Sequence, residues 1–241
     1  MPYFLKEQTS IYYTQRGSGP PLLLLPPGGM DATNEFWQRT AFNATEVFHQ
    51  EFRVISVDVR NAGNSSGPIV GDDPWRAYAE DHLGLMNHLG IEEFSVLGCC
   101  IGSSHALKLI ELAPRRVRCA VLEQPTGLDA TSFDPLWKLF GDWAREQCRK
   151  RTDVNMEMLE AFGRKMWHGD FVMSVSRDFV RACSTPMLVL PGTDLYHPGA
   201  VGREVAALAP NAQCHEPWKL PADLVPGTVA RIKAFLHAHA G

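Results

Sequence analysis

The sequence predicts an α/β chain, a mostly parallel central sheet flanked by helices, and three observations carry that class. Short apolar runs of strand length alternate with longer stretches of helical spacing, joined by brief connections, as strands covered on both faces by helices should read. The run Phe94-Ser95-Val96-Leu97 ends at Gly98-Cys99-Cys100-Ile101-Gly102 and passes directly into a helical pattern over 101–112 that Pro114 stops. The chain is 241 residues long and 45% apolar, enough to bury one α/β core. It contains no internal repeat or low-complexity linker.

In chain order, Ser10 to Thr14 and Leu22 to Leu25 are expected as the strands of an opening hairpin, with Gly17-Ser18-Gly19-Pro20 as its turn. Pro26-Pro27-Gly28-Gly29-Met30 follows the second of these strands. Proline has no amide proton, so Gly28 and Gly29 are the available donors, and without side chains they let a ligand approach the backbone. Residues 53–57 form the next strand, followed by a loop of small and turn-prone residues over 58–67, in which Asn61 tolerates positive φ. Asp73 caps a helix with Pro74 at its first position, and its apolar stripe is Trp75, Tyr78, His82, Leu85, Met86 and Leu89. His82 reads there as a core histidine.

The motif Gly98-x-Cys100-x-Gly102 places a thiol where a nucleophile elbow normally carries serine. The strand-to-helix turn is tight enough that side chains at its flanking positions would collide with neighbouring backbone, hence the two glycines. The helix that starts there favours a thiolate at Cys100 through its amides and dipole. After the strand over 119–122 the sheet pattern gives way to helices rich in Trp, Phe and Met. It resumes at 186–190 and is followed by Pro191-Gly192-Thr193-Asp194-Leu195-Tyr196-His197-Pro198.

These features resemble the α/β-hydrolase fold: Leu22 to Gly29, Asp58 to Ser65 and Gly98 to Gly102 stand where that family has its own motifs, over residues 10–125 and again over 185–238. The resemblance implies a core of residues 1–123 and 184–241 and a small helical cap of 124–183 over the elbow. It implies Cys100 as nucleophile, the amide of Ile101 as one oxyanion donor, Gly28 or Gly29 as the other, and Asp194 as the acid. The family's base is a histidine shortly before the last helix, expected over 228–236, but that place falls on Trp218 or Lys219. His215 lies earlier, within or near a strand, and His197 lies on the acid loop at the carboxyl edge of the sheet. We therefore expect His197 to serve as base, with His215 as the alternative, while His237 and His239 at the end of the last helix look solvated. The activity implied is cysteine-dependent hydrolysis of a small ester, lactone or thioester. The alternative is a non-hydrolytic protein on the same fold: a cofactor-independent lyase, an acyltransferase or a ligand-binding module.

A net charge of −4 without a long basic run argues against nucleic acid or an anionic membrane as partner, leaving a small-molecule substrate. The six cysteines lack metal-site spacing and are too sparse for a disulfide scaffold, so neither metal nor cofactor is expected. No signal-like start or membrane-length apolar run is present, which suggests a cytoplasmic protein. The oligomeric state is left open, a dimer included.

Overall fold

The computed structural model describes residues 2–129 and 132–240; Met1, Ala130, Thr131 and Gly241, which fall within the expected core and cap ranges, lie outside the described residues. Eight strands form one sheet: β1 (Tyr3–Lys6), β2 (Thr9–Arg16), β3 (Pro21–Leu25), β4 (Arg53–Val57), β5 (Phe94–Cys99), β6 (Val117–Glu123), β7 (Met187–Leu190) and β8 (Ala212–Cys214), in the order β1-β2-β4-β3-β5-β6-β7-β8. The pairs β1/β2 and β2/β4 are antiparallel and the rest are parallel.

The expected opening hairpin is corrected by this order. β2 pairs with β1 on one side and with β4 on the other, and β3 lies beyond β4. The reason is burial: Leu22, Leu23, Leu24 and Leu25 are all fully buried, and a strand apolar on both faces belongs in the middle of the sheet, between β4 and β5. β2 is only partly buried and suits a place near the edge.

The helices are α1 (Ala44–Phe48), α2 (Pro74–His88), α3 (Ile101–Leu112), α4 (Phe133–Lys150), α5 (Met156–Trp167), α6 (Arg177–Ala182), α7 (Gly199–Leu208) and α8 (Val225–His239). The Asp73 side chain accepts from the Arg76 amide, with Pro74 just inside the helix as its sequence indicates. The last helix starts three residues before the expected 228, because Pro226 is tolerated in a first turn that lacks intrahelical donors anyway.

Two apolar cores lie on the two sides of the sheet, one of which includes Leu23, Val96, Ile101 and Val189, the other Leu22, Leu97, Cys99 and Trp218. Strand alternation sends neighbours in β3 and β5 to opposite cores. Residues 124–183 hold α4, α5 and α6. The buried faces of α4 (Leu136, Phe140, Trp143) and α5 (Leu159, Phe162, Met166, Trp167) form an aromatic cluster, in which Trp143 and Phe162 lie 6.0 Å apart. This segment is tied to α2 and α3 by Trp75 Nε1 donating to Met166 O at 3.2 Å and Ser174 Oγ donating to Ser104 O at 2.8 Å.

Candidate active site

β5 runs into α3 through a single residue, Cys100, at φ 58 and ψ −122. A non-glycine residue there is strained by about 1–3 kcal/mol, and the surroundings show what holds it. The Cys100 amide donates to Glu123 O at 2.9 Å, and Ser103 Oγ donates to Gly98 O at 2.8 Å. The flanking glycines are sterically required: a Cβ on Gly98 would lie 2.2 Å from Gly102 O, and one on Gly102 would lie 2.1 Å from Leu25 O. The elbow expected from the sequence thus has the predicted strand, turn and helix.

Strand β7 delivers the facing loop. Asp194 Oδ1 accepts from the amides of Tyr196 and His197, both at 3.1 Å, and lies 2.8 Å from His197 Nδ1. One short turn therefore aims the carboxylate at the imidazole of its own loop. His197 Nε2 is buried and faces the Cys100 thiol, although no hydrogen bond of good geometry closes between them. Gly28, at φ 126, brings its amide to the Cys100 sulfur from the end of β3, and the Ile101 amide reaches the sulfur from the start of α3. Gly29, at φ 62, lies beneath Trp167, whose ring edge would be 3.8 Å from a Cβ placed there.

The electrostatics follow from these neighbours. Burial opposes a thiolate at Cys100, but His197 and the amides of Gly28 and Ile101 outweigh it and hold the thiol below its ordinary value. Burial likewise opposes the imidazolium, but Cys100 and Asp194 push His197 up to about 9. The two groups are coupled, since the imidazolium holds the thiol down and the thiolate pushes the imidazole up. Asp194 is disfavoured as an anion by burial, yet is held below the usual carboxylate range by His197, the Tyr196 amide and Lys219.

His215 follows β8, and its Nε2 lies 3.3 Å from Thr228 Oγ1 on α8, so its ring is engaged with that helix. His82 is buried beside His105 with neither ring nitrogen hydrogen-bonded, as a core residue. His237 is exposed, 2.8 Å from Glu51. Cys99, fully buried in the opposite core, has its thiol pushed well up by burial.

Two residues near the site were not singled out for their own chemistry. Glu123 closes β6, paired with Cys99, fully buried and with neither carboxyl oxygen hydrogen-bonded. Burial pushes it up to about 7. Lys219, counted from the sequence only as an occupant of the missing histidine's place, lies 3.9 Å from Asp194 Oδ2. A carboxylate directly after the apolar run 119–122 was the visible signal for Glu123.

Among the described residues no helix is long and apolar enough to cross a membrane. The alpha/beta hydrolase fold family matches residues 21–164. The chain is 27% identical over 188 residues to a 2-hydroxy-6-oxo-6-phenylhexa-2,4-dienoate hydrolase from Comamonas testosteroni, covering 69% of this chain and 65% of that protein. It is 25% identical over 154 residues to a protein of the same name from Burkholderia cepacia, covering 61% and 53%. The chain thus spans about half to two thirds of these relatives' length. In three dimensions it resembles a meta-cleavage product hydrolase from Pseudomonas fluorescens IP01, with a TM-score of 0.73 at 18% identity, covering 98% of this chain and 97% of that one. With the eight-stranded sheet, the elbow and the family match agreeing over most of the chain, this protein belongs to the α/β-hydrolase fold family.

Proposed function

We propose that the protein is a cysteine-dependent hydrolase of a small ester, lactone or thioester, working through an acyl-enzyme. The observation that carries this reading is the convergence on one sulfur of His197, backed by Asp194, and the amides of Gly28 and Ile101. The hydrolase names of the relatives agree with it.

In this reading the Cys100 thiolate attacks the carbonyl carbon, and the C=O electron pair moves to oxygen, where the amides at Ile101 and at Gly28 or Gly29 receive the negative charge. Collapse expels the leaving group, which takes the proton from His197 Nε2. The imidazole, now neutral beside a thioester, removes a proton from the attacking water. Release of the acid then regenerates thiolate and imidazolium. In this reading the first step draws on a thiolate sustained by the His197 imidazolium, and the same imidazole then protonates the leaving group and serves deacylation. The aromatic segment, whose Trp167 reaches over Gly29, serves in this reading as a cap that keeps water out.

The test is intact-mass spectrometry after mixing with p-nitrophenyl acetate. An acetyl adduct of 42 Da, about the mass that replacing a thiol hydrogen with acetyl adds, is expected on the Cys100 peptide. His197→Ala should let this adduct accumulate, while His215→Ala should behave as the parent. Turnover without any Cys100 adduct in His197→Ala, or an adduct elsewhere, would remove the acyl-enzyme reading. Absence of both turnover and adduct across ester, lactone and thioester probes would favour a non-hydrolytic role.

A further inference from the structure

Lys219, with Trp218, falls where the family resemblance places a base histidine, and the imidazole that meets Asp194 in this chain comes from the β7 loop instead. Its neighbour Trp218 is buried, with Nε1 donating to Pro191 O at 2.7 Å and its own carbonyl accepting from Thr228 Oγ1 at 2.7 Å. The backbone before Lys219 is thereby fixed between the end of β7 and α8. The lysine side chain is mostly buried, donates to Gln124 Oε1 and reaches 3.9 Å from Asp194 Oδ2. Gln124 is itself pinned, its amide donating to Leu190 O at 2.7 Å and its Nε2 to Cys99 Sγ at 3.7 Å, at φ 39. The ammonium is therefore placed by the ends of β5, β6 and β7, independently of the acid it faces.

Asp194 divides its two oxygens between different tasks. Oδ1 takes both loop amides and His197 Nδ1, which already fixes its orientation, while Oδ2 faces Lys219. What the lysine adds there is charge rather than alignment. We propose that Lys219 is a positioning residue for the proton of His197: its ammonium, held by Gln124 against the far oxygen of Asp194, weakens that carboxylate's hold on the imidazolium and readies His197 to release its proton to the leaving group. The proposal rests on the Cys100–His197–Asp194 reading and refines it. Besides Asp194, the buried carboxyl of Glu123 feels the ammonium, and the Trp218 ring lies 5.2 Å away. Glu216 on the same loop is taken up by Arg203 at 2.9 Å. A general acid transfers best when its proton affinity lies near the working pH, so a cation that tempers an otherwise tight acid–imidazolium pair speeds the transfer.

The experiment is an NMR titration of the His197 Cε1–H resonance in the full chain, assigned by its loss in His197→Gln. Lys219→Met should raise the midpoint by about half to one pH unit, roughly a three- to tenfold gain in proton affinity. Lys219→Arg should restore it, and Gln124→Leu, which frees the ammonium, should shift it the same way by less. A purely structural role would loosen Asp194 and lower the midpoint. An unmoved or lowered midpoint in Lys219→Met therefore overturns the proposal, and if that variant fails to fold, Gln124→Leu decides by the same criterion. Cys100→Ala separates the two readings. If it leaves the His197 midpoint unchanged, the thiolate–imidazolium pair itself is wrong; if it lowers the midpoint while Lys219→Met does nothing, only the lysine's role falls.

Discussion

Cys99 and Cys100 show how much one backbone turn decides, since adjacent thiols have opposite fates. Cys99 is the last residue of β5, sealed in the apolar core and pushed well up, whereas Cys100 is held down by an imidazole and two amides. Burial raises Cys119 to about 11, and Cys214, though exposed, is also raised. Nucleophilic thiolate at mildly acidic pH should thus be concentrated at Cys100. Iodoacetamide at pH 6, followed by peptide mapping, is expected to modify Cys100 at least tenfold faster than any of the other five, and His197→Ala should slow it to the level of Cys214. Faster labelling of Cys214 in the parent would mean that the imidazole does not sustain a thiolate. At this scale the sequence pointed to Cys100 through its glycines and to His197 through its place on the acid loop, where the structure sets it 2.8 Å from Asp194. It passed over Glu123 and Gln124, because the inward direction of a side chain at a strand's end depends on register with β5 and β7, which no local pattern reports.

Among the elements, those with punctuation were legible and those without were not. α3 starts and ends where Gly102 and Pro114 suggest, and α2 where Asp73 and Pro74 do. β1 lacks such signals, the five-residue α1 has only its Asn43 cap, and the placement of β3 was misjudged because a local turn signal at Gly17–Pro20 says nothing about which strand lies alongside. A second kind of glycine appears in the aromatic segment, where α5 approaches α4 at Gly163. A Cβ there would lie 2.2 Å from Phe140 Cε1 and 2.4 Å from Cζ, in a buried cluster with little room to yield. Gly163→Ala gains about 1 kcal/mol of helix propensity but forces overpacking that costs about 1–3 kcal/mol. A net destabilisation of about 1 kcal/mol is expected. Gly141→Ala on α4, where the nearest atom to a new Cβ is Arg145 Nη1 at 3.5 Å, should instead stabilise by up to about 1 kcal/mol. Urea midpoints of the two variants check both signs, and equal shifts would mean that the α4–α5 contact is not close.

For the whole molecule, buried titratable groups on opposite sides of neutrality set how stability varies with pH. The sheet class, the two covered faces and the helical stretch after β6 were all visible in the alternation of apolar runs, whereas these groups were not, since their effect depends on complete burial. Burial lowers His82 to about 3 and holds His105 well below its ordinary value as well. Such histidines take up protons only in the unfolded chain, so stability is lost as pH falls below about 6.5, with His82 alone costing about 2 kcal/mol at pH 5. Glu123 acts in the opposite direction. Its carboxyl is raised to about 7, so the folded chain holds a proton that the unfolded chain has already released above about pH 4.5. Stability is then lost as pH rises from about 4.5 to 7, by up to about 3 kcal/mol, and the two effects together predict a maximum on the acid side of neutrality. Glu123→Gln keeps the shape and removes the ionisation. It should stabilise the chain above pH 7 by about 1–3 kcal/mol, the lower figure allowing for the buried amide's own unsatisfied hydrogen bonds, and lose that advantage by pH 4.5, where the native carboxyl is neutral in both states. Urea unfolding of parent and variant at pH 4.5, 6 and 8 measures the difference directly. A gain that is the same at all three pH values, or none at pH 8, would show that Glu123 does not carry a strained proton equilibrium inside the fold.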